Sequence, residues 1–98
     1  MTLSSAEVRK QSLSVFFPCH NEADNIGALV DKTVAVLRKL VDDFEVIIVN
    51  DGSKDKTREV ADALAAKYPE VRAVHHEVNK GYGGAVWTGL RSATKQLV

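Results

Sequence analysis

The sequence predicts an α/β domain in which strands and helices alternate in the order βαβαβα, with the strands parallel. Three observations predict it. The run Phe44 to Val49 is too short for a buried helix and is rich in Ile and Val, as a central strand covered on both faces must be. A segment with apolar residues at helical spacing stands on each side of it. Polar or glycine-rich clusters, Cys19-His20-Asn21-Glu22 and Gly81-Tyr82-Gly83-Gly84, punctuate the chain between periodic segments.

The elements follow in order. Residues 1–12 read as a polar lead-in, partly helical. Leu13-Ser14-Val15-Phe16-Phe17-Pro18 is a β-branched and aromatic run closed by proline, a strand signal. Asn21 and Asp24 approximate a capping box, and Ile26, Leu29, Val30, Val34, Leu37, Leu40 and Val41 then mark one helical face. After the Phe44–Val49 strand, a helix is expected from about Lys54 to Lys67, with Val60, Ala61, Leu64 and Ala65 inward. Ser53 or Asp55 would cap it, and Tyr68-Pro69 ends it. Val71 to His76 reads as a third strand. A last helix carries Val86, Leu90, Ala93 and Leu97.

Composition bounds the function. Ninety-eight residues allow one domain with a modest core. Lys and Arg (13) balance Asp and Glu (13), so no nucleic-acid-binding surface is implied. No apolar run is long enough to span a membrane, and the polar start lacks the apolar core of a signal peptide. The single Cys19 leaves no internal disulfide, which fits a cytoplasmic protein or one on the cytoplasmic face of a membrane.

Right-handed crossovers add successive strands in one direction and give the sheet order 3-2-1. A further strand would then turn back beside the first. The crevice for a ligand lies at the carboxyl ends of strands one and two, where Pro18–Glu22 and Asn50–Ser53 open.

Simpler readings of single motifs are available. Asn50-Asp51-Gly52-Ser53 alone is an ordinary turn and helix start. The glycines after Lys80 do not form a dinucleotide fingerprint, because Val86 takes the third-glycine position and the loop follows the third strand. His75 and His76, adjacent on a strand, point to opposite faces and cannot chelate one metal together. Cys19 beside His20 lacks a third group to orient the pair, so it reads as a small buried filler.

Together the blocks say more. Pro18-Cys19-His20-Asn21-Glu22, Val49-Asn50-Asp51-Gly52-Ser53 with Asp55 and Thr57, and Asn79-Lys80-Gly81 with Gly84-Ala85 and Gly89 resemble family 2 glycosyltransferases of the GT-A fold. The last block is most similar to members that make polyprenyl-phosphate sugars, the relatives of dolichol-phosphate mannosyltransferase. The resemblance covers residues 13–98 and implies the Rossmann-like, three-layer half of a GT-A domain that binds the nucleotide-sugar donor, UDP- or GDP-linked. It implies that Pro18 and His20 border the base, with Glu22 within reach of base or ribose. It implies that Asn50 and Asp51 accept from the base; Asn50 stands where the family has a carboxylate. Gly52 would permit a tight turn, Ser53 would satisfy the amides opening the second helix, and Lys80, Gly81 and the following glycines would approach the diphosphate.

The resemblance also places the metal motif, for Mg2+ or Mn2+, and the catalytic base after the next strand, so no catalytic or metal residue is expected here, and this chain alone is expected not to turn over. Inverting stereochemistry is implied by the family alone. The edge of the 13–18 strand, bearing Val15, Phe16 and Phe17, is expected to favour a homodimer. A reading from another class is a non-catalytic α/β binding or assembly module that keeps these loops as scaffold; nucleotide affinity separates the two.

Overall fold

The computed structural model describes residues 4–95 and shows three parallel strands between layers of helix. The elements are α1 (Ser5–Arg9), β1 (Ser12–Cys19), α2 (Ala23–Leu40), β2 (Asp43–Asp51), α3 (Thr57–Lys67), β3 (Val71–His76) and α4 (Gly81–Ser92). The sheet runs β1-β2-β3, the expected order, with β2 in the centre. Leu97 lies outside the described residues.

The apolar run of β2 explains the layering. Every residue of β2 after Asp43 is buried. Successive side chains leave a strand on opposite faces. Val46 and Ile48 therefore meet the larger core, built with Ile26, Val30, Val34 and Leu37 of α2 and with Ala61 and Leu64 of α3. Ile47 and Val49 face the other way, toward Ala85 of α4, with Phe16 and Val74 beside them. This second core is thin, and close approach makes up for volume: a Cβ on Gly89 would lie 2.3 Å from the Phe16 ring. Glycine there lets α4 settle directly onto the aromatic face.

Several expectations need correction. The lead-in is partly helical, as expected; Ser4 and Glu7 make the reciprocal capping box at the start of α1, whereas the box expected from Asn21 and Asp24 does not form, no side chain capping α2. Asn21 instead adopts φ 56 and spends its side chain on another loop. Leu29 and Leu40, placed on the inward face of α2, are about half exposed, because the apolar stripe is narrower than the helix-period reading drew it. In α4 the buried positions are Ala85, Thr88 and Gly89, while Leu90 faces outward. Small residues, not large apolar ones, mark the face of a helix that packs this close. α3 starts at Thr57 rather than Lys54, since Asp55 Oδ1 accepts the Thr57 amide at 2.9 Å and holds the preceding residues in a loop.

At the opposite end of the sheet a buried carboxylate ties α4 to the strands. Glu45 accepts hydrogen bonds from Ser14 Oγ at 2.6 Å, from the Thr94 amide at 2.7 Å and from Arg72 Nε at 2.9 Å. Burial raises its pKa, but these donors outweigh burial and bring it down to about 2.

Candidate functional site

The ladder register fixes the site. Cys19 stands opposite Asn50, and Asp51 stands opposite His76, so the carboxyl ends of all three strands finish level. The β1–α2, β2–α3 and β3–α4 loops open there together. Between the first and third of these lies a cleft of about 210 Å³ lined by Pro18, Cys19, His20, Asp51, Asn79, Gly81, Tyr82 and Ala85.

Backbone geometry locks the loops against one another. Gly52 has φ +64, and a Cβ on it would lie 2.3 Å from the Asn79 amide nitrogen and 2.6 Å from the Val78 carbonyl carbon. Only glycine lets the β3–α4 loop lie on the β2 turn. Ser53 Oγ accepts the Asn21 amide at 3.0 Å, Asn21 Oδ1 accepts the Lys54 amide at 2.8 Å, and Thr57 Oγ1 accepts the Glu22 amide at 2.9 Å. Ser53 thus joins two loops rather than capping α3 as expected.

Asp51 is the charge at the centre. It is buried, and its Oδ1 lies 2.7 Å from His76 Nδ1 and accepts the Lys80 amide at 2.8 Å. Burial raises its pKa, yet the hydrogen bonds from His76 and from the Lys80 and Gly81 amides together hold it below the usual carboxylate value. His20 Nδ1 sits 2.9 Å from the Asp51 carbonyl, and Asn79 Nδ2 approaches the same ring at 3.2 Å. Asn79 Oδ1 accepts the Gly81 amide at 2.6 Å, which sets the start of α4. Neither Gly81 (φ +80) nor Gly83 has any atom within 4 Å of where a Cβ would stand, so the α4 entrance is open to close approach by a ligand.

The structure brings Pro18, His20, Asp51 and Gly81 together around one cleft. Asn50 turns to the opposite sheet face, where its Oδ1 accepts the Ser53 amide at 3.3 Å and its Nδ2 lies 3.0 Å from His75. Glu22 borders a separate depression with Phe17, Asn25, Ile26 and Leu29, and its Oε2 accepts from Asn25 Nδ2. Lys80 is exposed and lends its backbone to Asp51. Cys19 is buried, and burial with the Glu22 charge pushes its thiol up to about 11, as suits a filler. His75 and His76 leave β3 on opposite faces as expected, His75 toward Asp62 and His76 toward Asp51. Missed from sequence were His76, Tyr82 and the side chain of Asn79. The register of His76 against Asp51 was the one signal that could have found the first.

Solved structures resemble this fold. A mannosyltransferase from Pyrobaculum calidifontis, in complex with GDP-Man and Mn2+, superposes with a TM-score of 0.75 and 26% identity over 90% of this chain and 26% of that one. Glucosyl-3-phosphoglycerate synthase from Mycobacterium tuberculosis, in complex with Mn2+ and UDP-glucose, gives a TM-score of 0.72 and 25% identity over 100% of this chain and 36% of that one. The fold is thus the parallel α/β arrangement of GT-A glycosyltransferases.

The profile described as Glycosyl transferase family 2 matches residues 14–98, and the chain belongs to that family. A dolichyl-phosphate beta-glucosyltransferase of Trichomonas vaginalis is 36% identical over 86 residues, covering 83% of this chain and 26% of its own length. An undecaprenyl-phosphate 4-deoxy-4-formamido-L-arabinose transferase of Photorhabdus laumondii is 31% identical over 98 residues, covering 98% of this chain and 29% of its own. The chain therefore spans less than a third of the length of these relatives.

Proposed function

We propose that residues 13–98 form the nucleotide-recognising part of a glycosyltransferase donor site, binding the nucleoside diphosphate portion of a UDP- or GDP-sugar. The observation that carries this reading is the buried, ionised Asp51 in a cleft that ends at an open, glycine-lined helix start. Asp51 accepts a hydrogen bond from base or ribose, and Pro18, His20 and Tyr82 supply apolar and aromatic surface to the base. The α4 entrance and Lys80 face the diphosphate, where a helix amino end and a cation both favour negative charge.

The dolichyl- and undecaprenyl-phosphate transferases among the relatives support a polyprenyl phosphate as the acceptor, and inversion of the anomeric centre is part of the same proposal. The cytoplasmic face of a membrane fits that substrate; among the described residues no helix is long and apolar enough to cross one. Among the described residues no group of three or more His, Cys, Asp or Glu is placed to hold a metal. This chain's own residues bind and orient the donor, and we propose no turnover by them alone.

Asp51→Ala tests the reading. Titration with UDP and GDP is expected to show affinity reduced at least about tenfold, roughly 1.4 kcal/mol, in a variant that remains folded. Equal affinity in wild type and variant contradicts it. We also propose self-association along the edge of β1, which among the described residues pairs only with β2. A concentration-independent monomer mass in light scattering contradicts that.

A further inference from the structure

Asp51 is held from behind. The β2–β3 register sets it opposite His76, and the two side chains are 5% and 6% exposed. His76 Nδ1 lies 2.7 Å from Asp51 Oδ1, and His76 Nε2 lies 2.8 Å from Thr88 Oγ1 on the buried face of α4. A neutral imidazole that donates from Nδ1 and accepts the Thr88 hydroxyl proton at Nε2 satisfies every group in the chain. The Lys80 amide donates to the same carboxylate oxygen at 2.8 Å. These two hydrogen bonds both fall on Oδ1, and the Gly81 amide is a further donor to the same carboxylate. A carboxylate this deep is costly without such partners, and its rotation is set by where they stand.

We propose that His76, locked by Thr88, is a positioning residue of the donor site. It occupies Oδ1 of Asp51 and fixes the plane of the carboxylate, and so sets the direction in which the remaining acceptor capacity of Asp51 meets the cleft. An acceptor held in a fixed direction matches a ligand presenting an N–H or O–H donor, such as a base imide or a ribose hydroxyl. The assignment rests on the donor-site reading above and names what makes Asp51 selective within it.

Two substitutions separate positioning from packing. His76→Asn keeps a donor nitrogen where Nδ1 stands and can still bond Asp51. His76→Gln places its nitrogen where Nε2 stands, toward Thr88, and loses the Asp51 contact. Titration of each 98-residue variant with UDP and GDP, beside its melting temperature, gives the readout. Asn is expected to retain affinity within about threefold, and Gln to lose about tenfold or more, at similar losses of thermal stability. Affinities that simply follow the melting temperature, or a Gln variant that binds as wild type, overturn the proposal. Thr88→Val, which removes the hydroxyl at nearly constant volume, keeps the test open if the His76 variants do not fold. Weaker nucleotide binding with wild-type NMR dispersion supports the lock, and unchanged binding overturns it. Wild type that binds neither nucleotide overturns the donor reading and this inference with it. Wild type that binds, with variants that bind equally, overturns this inference alone.

Discussion

Replacing Gly52 with alanine should damage the site out of proportion to the change of one methyl group. Two costs add. The residue sits at φ +64, and a side chain in that left-handed region costs about 1–2 kcal/mol. Its Cβ would also stand 2.3 Å from the Asn79 nitrogen, 2.6 Å from the Val78 carbonyl carbon and 2.9 Å from the Asn79 Cα. All three are backbone atoms, so no rotamer relieves the overlap and the β3–α4 loop must lift, at about 1–3 kcal/mol by analogy with overpacked cores. The total, about 2–5 kcal/mol, is a large share of the roughly 5–15 kcal/mol that stabilises a domain. In urea denaturation the midpoint should fall by about 1 M or more. Gly81→Ala is the control. Its φ is +80, but nothing lies within 4 Å of the new Cβ, so it carries the strain without the overlap. Amide shifts at residues 78–80 should move in Gly52→Ala and stay near wild type in Gly81→Ala apart from the immediate neighbours. Equal stability losses in the two variants, or an unmoved 78–80 loop in the first, would refute the loop-on-turn packing.

Acid should loosen the base of the sheet. Glu45 falls from an ordinary 4.5 to about 2 in the folded protein, equivalent to about 3 kcal/mol. Because the folded value is the lower one, this stabilisation is complete above about pH 4.5 and disappears as pH drops through 2. The gap in urea midpoint between wild type and Glu45→Gln should narrow over that window, and a gap independent of pH would contradict it. Gly89→Ala should cost about 1–3 kcal/mol through its 2.3 Å approach to the Phe16 ring. Phe16→Leu should recover part of that cost in a double-mutant cycle; strict additivity of the two would show that the contact is not shared.

Much of the fold was legible in local pattern. Ile47, Ile48 and Val49 could only be a strand buried on both faces, and handedness then ordered the sheet without further information. Where the reading slipped, the deciding contact was distant in sequence. Asn21 resembles a helix cap until the Lys54 amide, far along the chain, claims its side chain. Leu90 looks inward by size, but Phe16 on the distant strand β1 selects Gly89 for the interface. The site shows the same division. Asp51, Gly52 and Gly81 were visible because turns and open helix starts require such residues. Asn50 and Asp51 look equivalent as neighbours, yet strand alternation sends one to His75 and the other to His76. His76 itself reads as an ordinary strand residue until the parallel register places it against a carboxylate.

The central claim is that the cleft between β1 and α4 recognises a nucleoside diphosphate. NMR titration of the labelled chain with UDP, GDP and CDP, each with and without Mn2+, tests it most directly. Saturable amide shifts concentrated at residues 19–22, 51–53 and 79–84, with a preference among the bases, are the predicted result. A folded sample whose spectrum no nucleotide changes would contradict it and would favour a scaffold that keeps the loops without the ligand.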